Sequence, residues 1–139
     1  GIWRAYYMID GTESSLWFAG TGEIGFSSWG YVNNEISQVN IESVNKSTAY
    51  CIAKPDLEEL FNSSIELSNF GRKIFEQEIL FIDSYTLSYS TPSATERYLT
   101  LMEENPELLQ YVPLKHLASY LYITPQSLSR IRAGLKRRR

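Results

Sequence analysis

The sequence predicts an α+β chain in which short antiparallel strands come first and helices follow. Three observations lead to this fold class. The first 53 residues are rich in aromatic residues and broken by glycines, which is typical of short strands joined by turns. Helical start signals, a proline followed by acidic residues, occur from Lys54 onward. The last 30 residues contain two apolar repeats at helical spacing, which predicts a pair of packed helices.

The first strands are predicted from their composition and alternation. Residues 2–8 and 15–19 are aromatic stretches, and Asp10-Gly11 between them supplies the positive φ values that a tight hairpin turn needs. Val39 and Ile41 alternate with polar neighbours. This alternation predicts a half-exposed strand in which these two side chains face inward.

Residues 48–52 are predicted to form one more strand, which completes an antiparallel sandwich or roll. Cys51 in this strand is expected to be a small buried hydrophobe. The three tryptophans are expected to lie in the core of the roll. They are Trp3, Trp17 and Trp29.

The character of the chain changes at Lys54-Pro55-Asp56, which suits the first turn of a short helix that stops near Asn62. The stretch Ser63-Ser64-Ile65-Glu66 is predicted to form a capping box. It opens a long helix from about Ser64 to about Tyr89. Apolar residues of this helix cover more than one side, so one side can lie on the sheet and another on the same helix of a second chain.

A hinge is predicted at residues 88–92, followed by a second capping box at Ser93-Ala94-Thr95-Glu96. The helix that begins there is expected to place Tyr98, Leu99 and Met102 on one face. Asn105-Pro106 ends it, and a short helical turn follows before Pro113 opens the next helix.

Charge is distributed unevenly along the 139 residues, whose formal net charge is −3. Residues 1–89 carry 5 Lys/Arg and 12 Asp/Glu, whereas residues 115–139 carry seven basic side chains and no acidic one. An acidic body with a basic end indicates that the end contacts a polyanion. A solubilising basic tail is the alternative for the last four residues.

Several classes of function are disfavoured by composition. There is neither a long apolar window nor a signal-peptide pattern at the first residues, so we expect a cytoplasmic protein without membrane contacts. One cysteine and one histidine disfavour a disulfide, a Cys/His metal site and an iron–sulfur cluster, and we expect no cofactor. His116 is expected at the surface. Without a Gly-x-Ser-x-Gly motif or a metal cluster, we expect that the protein is not an enzyme.

Residues 113–135 have the spacing of a helix-turn-helix. Leu114, Leu117 and Leu121 share one face of a first helix that runs from Pro113 to about Leu121. Ala118 falls where the two helices cross closely, and Ile123 fills the turn. Thr124 and Pro125 are predicted to be the cap and the first residue of the second helix.

Tyr122 occupies the turn position where glycine is usual, because φ is often positive there. Either the turn is altered or this tyrosine is strained.

The second helix is predicted to direct Leu128, Ile131 and Leu135 toward the first. Gln126, Ser127 and Arg130 then lie on its exposed face, where a recognition helix meets base edges. Glutamine pairs bidentately with adenine, and arginine with guanine. Arg132, Lys136 and the final arginines are better placed for phosphates. The predicted DNA-binding set is Thr124, Gln126, Ser127, Arg130, Arg132 and Lys136. The alternative is an ordinary helix pair with a polar outer face.

Three stretches carry a more specific signal: Glu96-Arg97-Tyr98 through Leu109, Ala118-Ser119-Tyr120-Leu121, and Ile123 through Arg132. They resemble the Crp/Fnr transcription regulators, particularly forms common in the Bacteroidetes, and residues 4–7, 16–18 and 56–60 resemble the sensor domain of that family more weakly. The resemblance implies a cyclic-nucleotide-binding-like jelly roll over 1–63, a dimerisation helix and hinge over 64–91, and a helix-turn-helix DNA-binding domain over 92–139. It also implies that Gln126 and Arg130 read bases.

The sequence departs from the family pattern in three places. Ile36 stands where the family has the arginine that grips a cyclic phosphate, so we do not expect cyclic AMP to bind. Gly22-Glu23 resembles the family's ribose-binding pair, although a plain turn is the commoner explanation. A single cysteine cannot supply the cluster of the redox branch. Lastly, the roll strands expected before Ile2 and the wing expected after Leu135 are missing, so we expect an N-terminally incomplete roll.

The sequence therefore predicts a homodimeric, sequence-specific DNA-binding transcription regulator whose sensor domain does not bind cyclic AMP. One alternative is a genuine cyclic-nucleotide-responsive regulator whose phosphate contact comes from Arg4 or Lys46. A cupin-type enzyme and a dimeric interaction module without a specific DNA site are two others. Double-stranded DNA and a second copy of the chain are the expected partners, with RNA polymerase and an unidentified small-molecule effector as further candidates.

Overall fold

A computed structural model describes residues 1–90 and 93–137. Within these ranges the chain is a mixed α+β fold with a three-stranded antiparallel sheet, as the sequence predicts. The strands are β1 (Trp3–Ile9), β2 (Thr12–Ala19) and β3 (Asn40–Ser43), with a π-helical turn at Trp29–Asn33. The helices are α1 (Lys54–Ser63), α2 (Ile65–Ser90), α3 (Ala94–Glu104), α4 (Pro106–Tyr111), α5 (Leu114–Tyr120) and α6 (Pro125–Lys136).

The β1–β2 hairpin forms where the sequence predicts it. Asp10 and Gly11 have φ values of 47° and 75°, which suits the twist of a two-residue hairpin turn. β1 is the central strand and pairs antiparallel with both neighbours, in the order β2-β1-β3. A bulge between Ala5 and Tyr6 shifts the β1–β2 register by one residue.

Three expectations about the strands are wrong. Residues 48–52 form no strand, and both Tyr50 and Cys51 are exposed. Ile41 on β3 is also exposed rather than facing inward. Strand-forming residues are stabilised only when they have a neighbouring strand and a face to bury. Residues 48–52 have no strand partner within the described ranges. The tryptophans, expected in the core, are only half-buried: Trp3, Trp17 and Trp29.

α1 and α2 form one compact unit with the residues that lead into them, from Ala49 onward. α1 begins at Lys54 with Pro55 in its first turn, as predicted. The serine that caps α2 is Ser64, whose Oγ accepts from the backbone N–H of Leu67 at 3.2 Å. The predicted pairing of serine with Glu66 is therefore displaced by one residue, since Leu67 takes the third helical position.

Gly71 is the one glycine inside the long helix, and the contact between α1 and α2 requires it. A Cβ at Gly71 would lie 2.5 Å from the ring of Phe61. The ring of Phe61 therefore rests on the bare backbone of α2, and a larger residue at position 71 would push the two helices apart.

The second unit combines residues 1–48 with the described residues from Ser93 onward. Its core is built from α3 to α6, and Ile2, which directly precedes β1, is part of it. This grouping cuts across the division into 1–63, 64–91 and 92–139 that the resemblance implies. The fully enclosed members of the core include Leu117, Ala118 and Leu128.

α3 opens with the predicted capping box. Ser93 Oγ accepts from the N–H of Glu96, and Glu96 Oε2 accepts from the N–H of Ser93 at 2.6 Å. The bond from the N–H of Ser93, together with a hydrogen bond from the Ser93 side chain, holds the pKa of Glu96 below its ordinary value. Of the three residues predicted to share one face, Tyr98 is buried and Met102 is half-buried, whereas Leu99 is exposed and Leu101 is buried.

The predicted hinge at residues 88–92 includes positions outside the described residues. None of the helices in the described ranges combines the length and the hydropathy that a bilayer crossing requires.

Candidate nucleic-acid interface

α5 and α6 form the predicted helix pair, joined by a tight turn. α5 buries Leu117, Ala118 is completely enclosed at the crossing, and Leu121 is buried at the end of the helix. α6 packs Leu128 into the same core, with Ile131 and Leu135 partly buried against it. The small side chain at position 118 and the apolar spacing of both helices therefore have the structural roles that the sequence predicts.

The turn contains the backbone strain that the sequence leaves as one of two possibilities. Tyr122 has φ 54°, in the left-handed region. This conformation costs a residue with a Cβ about 1–2 kcal/mol. Ile123 follows and is held by a backbone bond from its N–H to the carbonyl of Ala118 at 3.0 Å.

We expect Tyr122→Gly to be more stable than Tyr122→Ala by about 1 kcal/mol, because both variants lose the ring but only glycine adopts positive φ without strain. Urea denaturation of the two variants measures this difference. Equal free energies of unfolding would show that the turn relaxes to negative φ when the ring is removed.

The N-terminus of α6 is capped by the residues that the sequence places there. Thr124 Oγ1 accepts from the backbone N–H of Ser127 at 3.2 Å and lies 3.0 Å from Ser127 Oγ. Both hydroxyls are thus engaged in the cap. Thr124 and Ser127 are two of the predicted DNA-binding residues, and both hold the start of α6 in place. The side chains of the predicted set that are free of this cap lie further along the helix or beside the cap.

The outer face of α6 is a stripe opposite Leu128. Gln126 and Arg130 are exposed on it, one helical turn apart. Two residues that the sequence analysis did not single out as readers, Ala133 and Arg137, continue the same stripe and are also exposed. Ala133 lies on the stripe between Arg130 and Arg137. Its short side chain leaves room there for another molecule to approach the helix closely.

Two further predicted residues flank this stripe. Lys136 is exposed and Arg132 is half-buried. Their positions at the sides of the helix fit contacts with a backbone rather than with the centre of a groove. The last two arginines, Arg138 and Arg139, lie outside the described residues.

A buried cation joins the sheet to α5. Arg4 on β1 is fully buried, and its Nη2 lies 2.7 Å from Glu13 Oε2 on β2. Its Nη1 lies 3.1 Å from Glu42 Oε1 on β3 and 2.8 Å from Nε2 of His116 on α5. Cross-strand pairing places Arg4 directly opposite Glu42, and the guanidinium thus ties all three strands to α5.

The acidic and imidazole groups of this cluster also have the composition of a metal site. Ligand atoms of Glu13, Glu42 and His116 lie within 4.8 Å of one another. The guanidinium of Arg4 contacts all three residues, so a divalent ion would have to approach a fixed positive charge. The cluster is better explained as an ion-pair network whose cation is Arg4.

His116 differs from the expected surface residue, because its side chain is largely covered. Burial, together with the positive charges of Arg4 and Lys115, lowers the pKa of His116 to about 4. The imidazole is therefore neutral near pH 7 and accepts from Arg4. Glu13 has a lowered pKa, chiefly because it accepts a hydrogen bond from Arg4.

We expect His116 to make the fold sensitive to acid. Its pKa is about 4 in the folded chain against an ordinary 6.5, so the unfolded chain takes up the proton first and stability falls as pH drops from 6.5 toward 4. Stability of the wild type and of His116→Gln, measured by denaturation at pH 7 and 5, tests this. Since His116 is the only histidine, an identical loss in both proteins would contradict the assignment.

The sheet and α5 also share a serine contact and an aromatic contact. Ser119 Oγ accepts from the backbone N–H of Ser15 at 3.1 Å and lies 2.9 Å from Ser15 Oγ. The rings of Phe18 and Tyr120 meet edge to face with centroids 5.3 Å apart. Burial raises the pKa of Tyr120 to about 12, so its hydroxyl stays protonated.

Sequence reasoning missed the cluster around Arg4. Glu13, Glu42 and His116 are far apart in the chain, and no motif spacing connects them. The available signal was a lone arginine in an otherwise apolar and aromatic strand, which indicates a buried charge that needs partners.

The positions related to cyclic-nucleotide binding differ in exposure and in their contacts. Ile36 is 94% exposed. Gly22 has φ 87° in a turn in which Glu23 Oε2 accepts from the N–H of Gly20 at 2.6 Å. Arg4, one of the alternative phosphate contacts, is buried and paired with carboxylates, while Lys46, the other, is exposed.

Comparison of the chain with protein-family models gives no match, and comparison with curated proteins gives no significant match.

Proposed function

We propose that the protein is a sequence-specific, double-stranded DNA-binding transcription regulator that acts as a homodimer, with α6 as its recognition helix. The observation that carries the proposal is the exposed stripe on α6. Gln126 and Arg130 stand on it one turn apart near the capped start of a helix packed on a partner helix. In helix-turn-helix proteins, the N-terminal residues of the second helix contact base edges.

The charges around α6 support the same proposal. Arg130, Arg132, Lys136 and Arg137 all lie on this helix or at its end, and residues 108–139 contain no carboxylate side chain. Such a surface attracts phosphates, because this part of the chain has no carboxylate side chains to neutralise its basic ones. Glutamine and arginine on the central stripe add groups that match adenine and guanine edges.

The experiment that tests this proposal is selection of bound duplexes from a random DNA pool with the full chain, followed by affinity measurements. We expect enrichment of one motif, and an affinity for it at least about a thousandfold above that for a shuffled duplex. Equal affinity for selected and shuffled duplexes would contradict sequence-specific recognition and favour the interaction module.

The proposed sensor domain includes β1–β3 as part of a cyclic-nucleotide-binding-like jelly roll that does not respond to cyclic AMP. The support is chemical, because a buried cyclic phosphate needs a cation. Ile36 provides none, and Arg4 is already held by Glu13 and Glu42.

We expect millimolar cyclic AMP to leave the melting temperature and the DNA affinity unchanged. Thermal unfolding with and without cyclic AMP measures the first, and titration of the selected duplex measures the second. A ligand that binds the folded state raises the melting temperature by mass action. A clear rise would therefore favour the cyclic-nucleotide-responsive alternative, with Lys46 as the first residue to test.

The proposed dimer contact is α2, with a second copy of the chain as its partner. Among the described side chains of this helix, six apolar ones are more than half exposed: Ile65, Phe70, Ile79, Leu80, Ile82 and Leu87. A helix that is apolar on several sides must be covered on several sides, and α1 packs on the part of α2 near Gly71. A two-fold helix pair would also supply two recognition helices for an inverted repeat.

Sedimentation at micromolar concentration tests the dimer, with Ile79→Asp as the variant and Glu76→Asp as a control on the same helix. We expect a dimer for the wild type and the control, and a monomer for Ile79→Asp. A stable wild-type monomer would contradict the proposal and predict a single half-site as the DNA target.

A further inference from the structure

The carbonyl of Leu121 is an acceptor that the helix itself cannot satisfy. In a continuing helix it would accept from the N–H of residue 125, but that residue is Pro125, which has no N–H. Leu121 is also buried, at 3% exposure, and a buried carbonyl without a donor is costly. Because α5 ends at Tyr120 with Leu121 as its C-cap, and the chain leaves the helix at Tyr122, the helix backbone supplies no donor to this carbonyl.

Arg97 on α3 supplies the missing donors. Its Nη2 donates to the Leu121 carbonyl oxygen at 2.9 Å, and its Nε lies 3.3 Å from the same oxygen. The guanidinium thus grips one carbonyl with two N–H groups, and its positive charge lies at the negative end of the α5 dipole. The next residue along the turn is Tyr122, the residue with positive φ.

The backbone of Arg97 is itself held in place at the start of α3. Arg97 lies between Glu96, a member of the capping box, and Tyr98, which is buried in the core. Its backbone N–H donates to the carbonyl of Ser93 at 3.0 Å. A well-anchored first turn of α3 therefore holds the guanidinium against the turn between α5 and α6.

We propose that Arg97 is a positioning residue for DNA recognition: by holding the Leu121 carbonyl, it fixes the strained turn at Tyr122 and so sets the direction in which α6 presents Gln126 and Arg130. This inference rests on the proposed function. A change of the turn dihedrals rotates the whole of α6, so both readers move together, whereas contacts with phosphate tolerate such a shift. Arg97 thus acts on base discrimination more than on general affinity for DNA.

The test uses the full chain with Arg97→Ala and Arg97→Lys, the second of which keeps the charge but loses the planar fork. Arg72→Ala, which removes an exposed arginine of α2, is the control for loss of one charge. Affinity for the selected duplex and for a shuffled duplex is measured at one salt concentration. Amide hydrogen exchange without DNA is followed at Tyr122, Ile123 and Leu128.

For Arg97→Lys we expect affinity for the selected duplex to fall on the order of tenfold, because the lysine ammonium keeps the charge but loses the two-N–H grip on the Leu121 carbonyl. We expect less than about a twofold change for the shuffled duplex. Exchange at Tyr122 and Ile123 should rise on the order of tenfold, while Leu128, bonded within α6 to Thr124, should be unchanged. Arg97→Ala should show the same pattern, and Arg72→Ala should show neither change.

An unchanged ratio of the two affinities in both Arg97 variants would overturn the proposal. If that unchanged ratio came with equal losses on both duplexes and faster exchange at Leu128, the cause would be general unfolding. If the wild type itself does not distinguish the duplexes, the proposed function fails. The exchange data still decide on the contact in that case, because unchanged protection at Tyr122 and Ile123 would show that Arg97 does not hold the turn.

Discussion

Arg4→Ala is expected to lower the free energy of unfolding by about 3 kcal/mol, because it removes the cation that joins the three strands to α5. Glu13 and Glu42 would then face each other and the neutral imidazole of His116 without a positive charge between them. This loss of unfolding free energy should lie at the lower end of the range that is usual when one partner of a buried ion pair is removed. Both carboxylates are partly exposed and keep some hydration.

The matched control is Arg72→Ala. Arg72 pairs with Glu76 four residues later on α2, and both side chains are more than half exposed, so its loss should cost under about 0.5 kcal/mol. Arg4→Met separates charge from volume, since methionine fills much of the space without pairing with the carboxylates. Chemical denaturation of the three variants measures these differences, and equally small losses for Arg4→Ala and Arg72→Ala would contradict a structural role for the cluster.

Arg130→Ala is expected to cost about 1–3 kcal/mol of binding free energy at one base pair of the DNA site, and to relax preference there alone. The reason is its position on the central stripe of α6, one turn from Gln126 and opposite the buried Leu128. A guanidinium at this place reaches the edge of a guanine most simply. Affinities for the selected duplex and for each singly substituted duplex give the discrimination at every position.

Lys136→Ala is the contrasting variant, because Lys136 is exposed at the side of α6 and is assigned to phosphate. Its removal should weaken all duplexes alike and reduce the slope of log affinity against log salt by about one unit. If Arg130→Ala also weakened every duplex equally, its guanidinium would contact the backbone of the DNA. The reading face of α6 would then have to be assigned to other residues.

The local features of this protein are those that the sequence predicts best. Asp10-Gly11 forms the hairpin turn, Ser93 with Glu96 forms a capping box, and Thr124 caps α6. Each of these is decided by groups within four residues of one another, so the chain needs no distant contact to adopt it. The capping serine of α2 is the exception: two adjacent serines offered the same cap, and Ser64 rather than Ser63 provides it.

Predictions that depended on a distant partner were less successful. Residues 48–52 have strand-forming side chains, yet the pairing partner that would make them a strand is absent among the described residues, and Cys51 is exposed as a result. Leu99 and Leu101 both suit a helix, and only the position of the neighbouring helices decides that Leu101 is the buried one.

By itself, the sequence determined the helix pair α5–α6, its cap and the exposed position of Gln126 and Arg130, because helical periodicity and capping are short-range properties. It left open whether the turn at Tyr122 is strained, and the structure decided that it is. Only the tertiary structure decided that Arg4 is buried among Glu13, Glu42 and His116, and that Arg97 holds the carbonyl of Leu121. Residues 4 and 116, like residues 97 and 121, are brought together by packing of the sheet and helices around one core. This packing is driven by the burial of apolar surface. The polar groups that meet as a result cannot be read from the local sequence pattern.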